Sequence, residues 1–247
     1  MIFIRNNNEI EKMASAAEIV KNTLFLLEEH VEPGISTLEL DSIAEKYICS
    51  QSAKPGFKGL YGYPSTICVS IDSEVVHGIP SERVLKDGEI VSIDVGSLYK
   101  GYYGDHAKTF SVGNVDSKKQ DLMNTTKDCL LKGISRAKPG MRIGDIGNAI
   151  QTLAESKGYS VVKDLVGHGI GEKLHEEPQI PNYGSKGTGP IIKEGMCFAI
   201  EPMINMGTED VCEKGDGWTV CTKDGKPSAH FEHTITITKN GPQILTA

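Results

Sequence analysis

The chain has 247 residues, enough for one large domain or two small ones, and its 38% hydrophobic and 24% charged residues are those of an ordinary globular protein. A formal net charge of -7 argues against a nucleic-acid footprint. No apolar run approaches the roughly 20 residues of a membrane span, and the start MIFIRNNNEIEKM lacks the apolar stretch of a signal peptide, so the cytoplasm is the expected location.

A first helix is expected from Asn8, with Glu11 completing its cap. Ile10, Met13, Ala14, Ala17, Val20, Leu24, Leu27 and Val31 recur at helical spacing until Pro33-Gly34 stops it. A second helix starts at Ser36, where Glu39 completes an S-x-x-E capping box and Leu40, Ile43, Ala44 and Tyr47 form the apolar face. TICVSI (66–71) reads as a strand. The stretch 89–112 reads as a hairpin, with strands EIVSIDV (89–95) and AKTFSV (107–112) and with Ile90, Ser92 and Asp94 on one face; a turn at Tyr99-Lys100 sets Asp94 directly across from Asp105. Two more helices follow, over 117–138 and 142–157, the latter with Ile146, Ala149, Ile150 and Leu153 inward. VGHGIGEKLHEEP (166–178) carries too much glycine for a helix, so His168 and His175 are not the i, i+4 pair of a helical zinc motif. MCFAIEPMI (196–204) and HTITIT (233–238) complete the strands, and six cysteines without a C-x-x-C pair read as reduced thiols.

The chain also resembles itself. EPGISTLELDSIAEKY (32–47) aligns with KPGMRIGDIGNAIQTL (138–153) at an offset of 106, and LKDGEIVSID (85–94) with IKEGMCFAIE (192–201) at an offset of 107, which lays Asp94 on Glu201. With no low-complexity linker, one domain over 1–247 is expected, built from a repeat of 1–115 and 116–247.

Four acids stand out: Asp94 and Asp105 on the hairpin, Glu201 in the apolar FAIEPM, and Glu232 in AHFEHTITIT, sharing a strand face with His230, Thr234 and Thr236. A single strand carboxylate is usually a solvated face or a surface ion pair. Four that converge in an interior cannot all stay ionised alone; either several are protonated or they hold metal. Taken jointly, with the opposed hairpin pair and the repeat, metal is the better account. Carboxylates with one imidazole suit two divalent ions such as Mn, Fe, Co or Zn, roughly 3.5–4 Å apart and sharing an activated water.

The motifs EVVHGIP (74–80), IDVG…GYYGDHAKTF (93–110), GHGIGEKLHEEP (167–178), FAIEPM (198–203), DGWTV (216–220) and FEHTITIT (231–238) resemble, in this order, the type I methionine aminopeptidases in their short bacterial form. The resemblance implies an α+β pita-bread fold: a pseudo-two-fold curved antiparallel sheet covered by four helices. It implies a dinuclear site of Asp94, Asp105, His168, Glu201 and Glu232, with Asp105 and Glu232 bridging two divalent ions (Co, Mn, Fe or Zn). A dimetal-bound hydroxide would attack the first peptide bond of nascent chains whose initiator methionine precedes a small residue. Glu201 would relay a proton, and His77 and His175 would contact the substrate and stabilise the tetrahedral intermediate. The implied partners are nascent N-termini, with the ribosome a candidate contact, no nucleic acid and no membrane, and the expected state is a monomer.

Methionine's side chain needs an apolar, adaptable pocket. By motif position its walls are Phe57, Tyr63, Cys68 and Trp218, with Leu60 and Leu174 as weaker candidates; Phe57 stands where the family usually has a cysteine. Taken alone, His77 reads as a turn or core histidine, Trp218 as a hairpin-packing residue and Tyr63 as a loop anchor. Prolidase- and creatinase-type relatives usually carry a further N-terminal domain, and catalytically dead homologues lose ligands; neither pattern is expected here. Ile2 follows Met1, so the chain is expected to keep its own first methionine.

Overall fold

Three of the four long helices begin where a side chain accepts from a free N–H of the first turn. In the computed structural model, which describes residues 1–247, α1 (Asn7–Glu28) is capped by Asn6, whose side chain accepts from the Glu9 N–H while Glu9 accepts from the Asn6 N–H. The expected cap at Asn8 is therefore two residues late. Buried Arg5, paired with Glu9, fixes the chain where it enters the helix. α2 (Thr37–Ser50) carries the expected Ser36–Glu39 box. α3 (Ser117–Ile134), capped by Asp116, stops short of residue 138.

α4 (Ile143–Ser156) buries Ile143, Ile146, Gly147, Ile150 and Ala154, whereas Ala149 and Leu153 stay half-buried. The helix is rotated from the expected face because its backbone at Gly147 packs on the chain, where a Cβ would meet the Pro181 carbonyl at 2.4 Å.

The hairpin forms between strands Ile90–Tyr99 and Tyr102–Ser111. Its turn is Lys100-Gly101, both at positive φ (49° and 84°), which suits the twist of flanking strands. Tyr99 pairs with Tyr102, so Asp94 faces Ala107 and Asp105 faces Gly96. The expected direct Asp94–Asp105 pair becomes a diagonal one, on the same face because the slip is an even number of residues. Strand Ile67–Ile71 pairs with the other side of Ile90–Tyr99 and sets Cys68 beside Asp94. In the second half a sheet runs in the order Gly241–Ile244, His233–Thr238, Cys197–Ile200, Gly167–Gly169, Glu176–Ile180. The expected strand 196–204 is broken at Glu201-Pro202 into Cys197–Ile200 and Met203–Asn205, which join different sheets. The strand pairings are antiparallel, and the architecture is α+β.

Two cores result. α1 and α2 pack Val20, Leu24, Leu27, Leu40, Ala44 and Ile48 against Ile67, Val91, Ile93 and Val95. α3 and α4 pack Leu122, Leu130, Ile146 and Ile150 against Phe198, Ile200, Ile204 and Ile235. Close approach of α1 to the hairpin requires Gly104, where a Cβ would meet the Ala16 backbone at 2.6 Å.

Hydrogen bonds at the head of each half correspond. Gly34 N–H donates to Leu85 O (2.9 Å) and Leu85 N–H to Ile35 O (2.8 Å); 106 and 107 residues further on, Gly140 donates to Ile192 O (2.9 Å) and Ile192 to Met141 O (2.8 Å). The halves meet between the hairpin and the break before His233–Thr238, where Glu232 N–H donates to Ala107 O at 2.9 Å.

Candidate metal centre and its cleft

Residues distant in sequence meet because each half turns one strand face inward. Asp94 and Asp105 come from the hairpin, Glu201 from the end of strand Cys197–Ile200, and His168 from strand Gly167–Gly169. Glu232 lies in the short break between Ser228–His230 and His233–Thr238 rather than within a strand. All five line one cleft of about 520 Å³, and so do His77, His175, Phe57, Tyr63, Cys68 and Trp218. Leu60 and Leu174 line it too.

The polar end is short of partners. Asp94 Oδ1, Asp105 Oδ1, Glu232 Oε1 and His230 Nε2 are sealed from solvent without a hydrogen bond. Burial pushes Asp94 up to about 7 and Glu201 up to about 8. Burial, reinforced by the neighbouring acids, holds Asp105 and Glu232 well above the usual carboxylate range. Burial also pushes His168 down to about 3 and His77 down to about 4, so both imidazoles are neutral at pH 7.

His168 Nδ1 lies 2.9 Å from the Gly169 carbonyl, which can only accept, so Nε2 presents a bare lone pair to the acids. That Nε2 is 3.7 Å from Asp105 Oδ2 and 3.5 Å from Glu201 Oε1. Both distances are too long for a hydrogen bond, but two ligands each ~2.1 Å from one tetrahedral ion are about 3.4 Å apart. Ligand atoms of Asp105, His168 and Glu232 lie within 4.8 Å of one another, and so do those of Glu201, His230 and Glu232. Partnerless acid oxygens, a fixed imidazole lone pair and ligand-like spacings fit a divalent cation centre. His106 Nδ1 donates to the Glu232 carbonyl and its ring stacks on His233 at 4.6 Å, bracing Glu232 from behind.

The other end of the cleft is apolar. Tyr63 is 4% exposed, its hydroxyl hydrogen-bonds toward the Gly78 and Ile67 carbonyls, and its ring meets Trp218 edge-on at 5.0 Å. It is thus both a loop anchor and a wall. Phe57 lies over Gly96, and Cys68 has its thiol pushed well up by burial and the Asp94 charge, so it acts as an apolar group. His77 holds a positive φ of 60°, a strained conformation for a non-glycine residue and one concentrated at functional sites. At the mouth His175 packs on the His168 ring at 4.5 Å and is stacked by Tyr61 at 5.9 Å.

Tyr61 and His230 are the two neighbours that motif reading missed. Tyr61 sits in a loop without periodicity. His230 carried a signal, two residues before Glu232 on an alternating pattern, but an isolated strand histidine is usually structural.

The profile of metallopeptidase family M24 matches residues 11–239. A methionine aminopeptidase from Clostridium perfringens is 51% identical over 246 residues, covering 100% of this chain and 99% of that protein. Methionine aminopeptidase 1 from Bacillus subtilis is likewise 51% identical over 246 residues, with 100% and 99% covered. The crystal structure of methionine aminopeptidase from Rickettsia prowazekii matches with a TM-score of 0.99 at 45% identity, covering 100% of both chains.

Proposed function

The chain belongs to metallopeptidase family M24, and we infer from that membership and its cleft that it is a metal-dependent methionine aminopeptidase. The observation that carries this reading is the two-ended cleft: an acid and imidazole end fitted to divalent ions adjoins an aromatic pocket suited to an unbranched thioether side chain.

Asp94, Asp105, His168, Glu201 and Glu232 are the proposed ligands that would hold the divalent ions. Bound ions would supply an activated water and polarise the scissile carbonyl. The protein's own groups do the rest. Phe57, Tyr63, Cys68 and Trp218 enclose the methionine side chain and exclude water from it. Neutral His77 and His175 each carry one N–H to offer the substrate carbonyl or amide. Glu201 accepts the proton released by the attacking water and returns it to the departing amine. Tyr61 stacked on His175 crowds the mouth, which favours a small second residue.

Newly made chains beginning Met-small are the proposed substrates, in the cytoplasm, with the enzyme a monomer and the ribosome a candidate contact. Six unpaired cysteines suit a reducing compartment, and no helix is long and apolar enough to cross a membrane.

The test is hydrolysis of Met-Ala-Ser, Leu-Ala-Ser and Ala-Pro peptides before and after chelation, with Mn, Co, Fe or Zn restored. Methionine release from the first peptide alone, abolished by chelation and by Asp105→Asn, is expected. Release that survives full chelation, or equal release of leucine, would overturn the reading.

A further inference from the structure

His230 faces the metal centre but has no part in the roles above. It is 1% exposed, and its Nε2 is sealed from solvent without a hydrogen-bond partner. This Nε2 lies 3.6 Å from Glu201 Oε2, while His168 Nε2 lies 3.5 Å from Oε1 of the same carboxylate. Glu201 therefore stands between two imidazoles, one for each oxygen.

The two rings differ in where their proton can sit. His168 must keep its proton on Nδ1, against the Gly169 carbonyl, and His106 is tied in the same way to the Glu232 carbonyl. No protein acceptor is bonded to His230 Nδ1, which leaves the proton free to sit on Nε2, facing the Glu201 carboxylate. The backbone under the ring is rigid. His230 N–H donates to Thr109 Oγ1 (2.9 Å), the Thr109 hydroxyl donates to His230 O (2.8 Å), and His230 pairs with Met203 across the strands. These bonds fix the strand beneath the ring, and rotation of the Glu201 side chain can close the gap. A shift of about 0.7 Å brings its Oε2 to charge-assisted hydrogen-bond distance.

We propose that His230 is a positioning residue of the metal centre: its Nε2–H donates to Glu201 Oε2 and turns Oε1, with His168 Nε2, toward the ion. The inference rests on the metal-dependent reading above and adds a residue to it. Such outer hydrogen bonds orient a ligating carboxylate, and their loss typically weakens metal binding about 10–100-fold.

Zinc-loaded full-length protein with nitrogen-15 histidine gives the direct test by long-range nitrogen–proton correlation spectra. His168 is expected with an unprotonated Nε2 and His230 with a protonated one. A bare Nε2 on His230, whether metal-bound or free, would overturn the proposal. Two variants give the second reading. His230→Leu keeps volume without a donor, and His230→Gln restores an N–H. The leucine variant should bind Mn about 10–100-fold more weakly by chelator competition, with kcat lowered and KM for Met-Ala-Ser within about twofold, and the glutamine variant should recover most of both. A leucine variant equal to wild type in metal affinity and kcat would also refute it. If wild type releases no methionine with any ion, the functional reading fails, while the spectra and metal affinities still decide the role of His230.

Discussion

Asp105 and Thr234 exchange hydrogen bonds across the seam between the two halves: the Asp105 N–H donates to Thr234 Oγ1 at 3.1 Å, and the Thr234 hydroxyl donates to Asp105 O at 2.8 Å. Both residues are buried, so neither bond can be replaced by water. Thr234→Val keeps the shape and removes both bonds, leaving the Asp105 amide orphaned. The expected loss is about 2–3 kcal/mol by urea denaturation, together with weaker metal binding because the Asp105 carboxylate is no longer held in register. Thr234→Ser should recover most of both. A valine variant with wild-type metal affinity would show that the seam does not position Asp105.

Stability of the metal-free protein should fall as pH rises from 6.5 to 8. Asp94 and Glu201 are raised to about 7 and about 8, and Asp105 and Glu232 lie well above their ordinary values, all chiefly by burial. In this window the folded state binds more protons on these groups than the unfolded state does, so unfolding is favoured as protons are withdrawn. The buried histidines pull the other way, but their effect fades as pH rises past the unfolded histidine value of about 6.5. Excess divalent metal needs the acids ionised and should abolish or reverse the fall. Melting curves at pH 6.5, 7.2 and 8.0, with and without Mn, check this; each kcal/mol lost should lower Tm by about 2–4 °C. A metal-free Tm that rises across this window would contradict it.

Local pattern carried the elements, and chemistry carried the acids. The Ser36–Glu39 box, the four helices and the hairpin follow from neighbours a few residues apart. The errors arose where two local answers compete. Asn6 and Asn8 each have a glutamate three residues on, and only the buried Arg5 decides between them. Tyr99-Lys100 and Lys100-Gly101 both offer a turn; glycine's tolerance of positive φ selects the second, and Asp94 slides to a diagonal of Asp105. The strand through Glu201 breaks because Pro202 cannot continue the ladder. His230 was visible beside Glu232, but its role was not: its facing partner, Glu201, comes from another strand and nothing in AHFEH encodes that distance.

Gly96→Ala should shrink the apolar end of the cleft without touching a polar group. A Cβ at Gly96 would lie 2.4 Å from the Phe57 ring, which is 7% exposed and closed in by its neighbours. The ring must then move into the space proposed for methionine. The expected effect is a KM for methionyl peptides raised about tenfold or more, with a stability loss of about 1–3 kcal/mol typical of overpacking. Metal affinity should change far less than KM, since the nearest atoms a Cβ at Gly96 would meet are those of the Phe57 ring and not of the paired Asp105. Steady-state kinetics beside chelator competition separates these, and an unchanged KM would remove Phe57 from the pocket wall.

Arg5 and Glu176 form a buried ion pair, both side chains 5% exposed, with Nη2 lying 2.6 Å from each carboxylate oxygen. The Arg5 guanidinium also packs against Gly171, and its backbone N–H donates to Gly195 O at 2.7 Å, so one residue ties the chain start to the loop that carries His175. Removing one partner leaves a buried charge uncompensated, and Arg5→Ala should cost about 3–5 kcal/mol. Loss of the tie should also lower kcat, because His175 immediately precedes Glu176 and packs on His168. Replacing both partners, Arg5→Met with Glu176→Leu, removes the charge along with its partner and should restore much of the stability. If the tie itself positions His175, the double variant regains Tm without regaining kcat. If kcat returns with Tm, the pair serves folding alone, and melting curves alongside methionine release from Met-Ala-Ser distinguish the two.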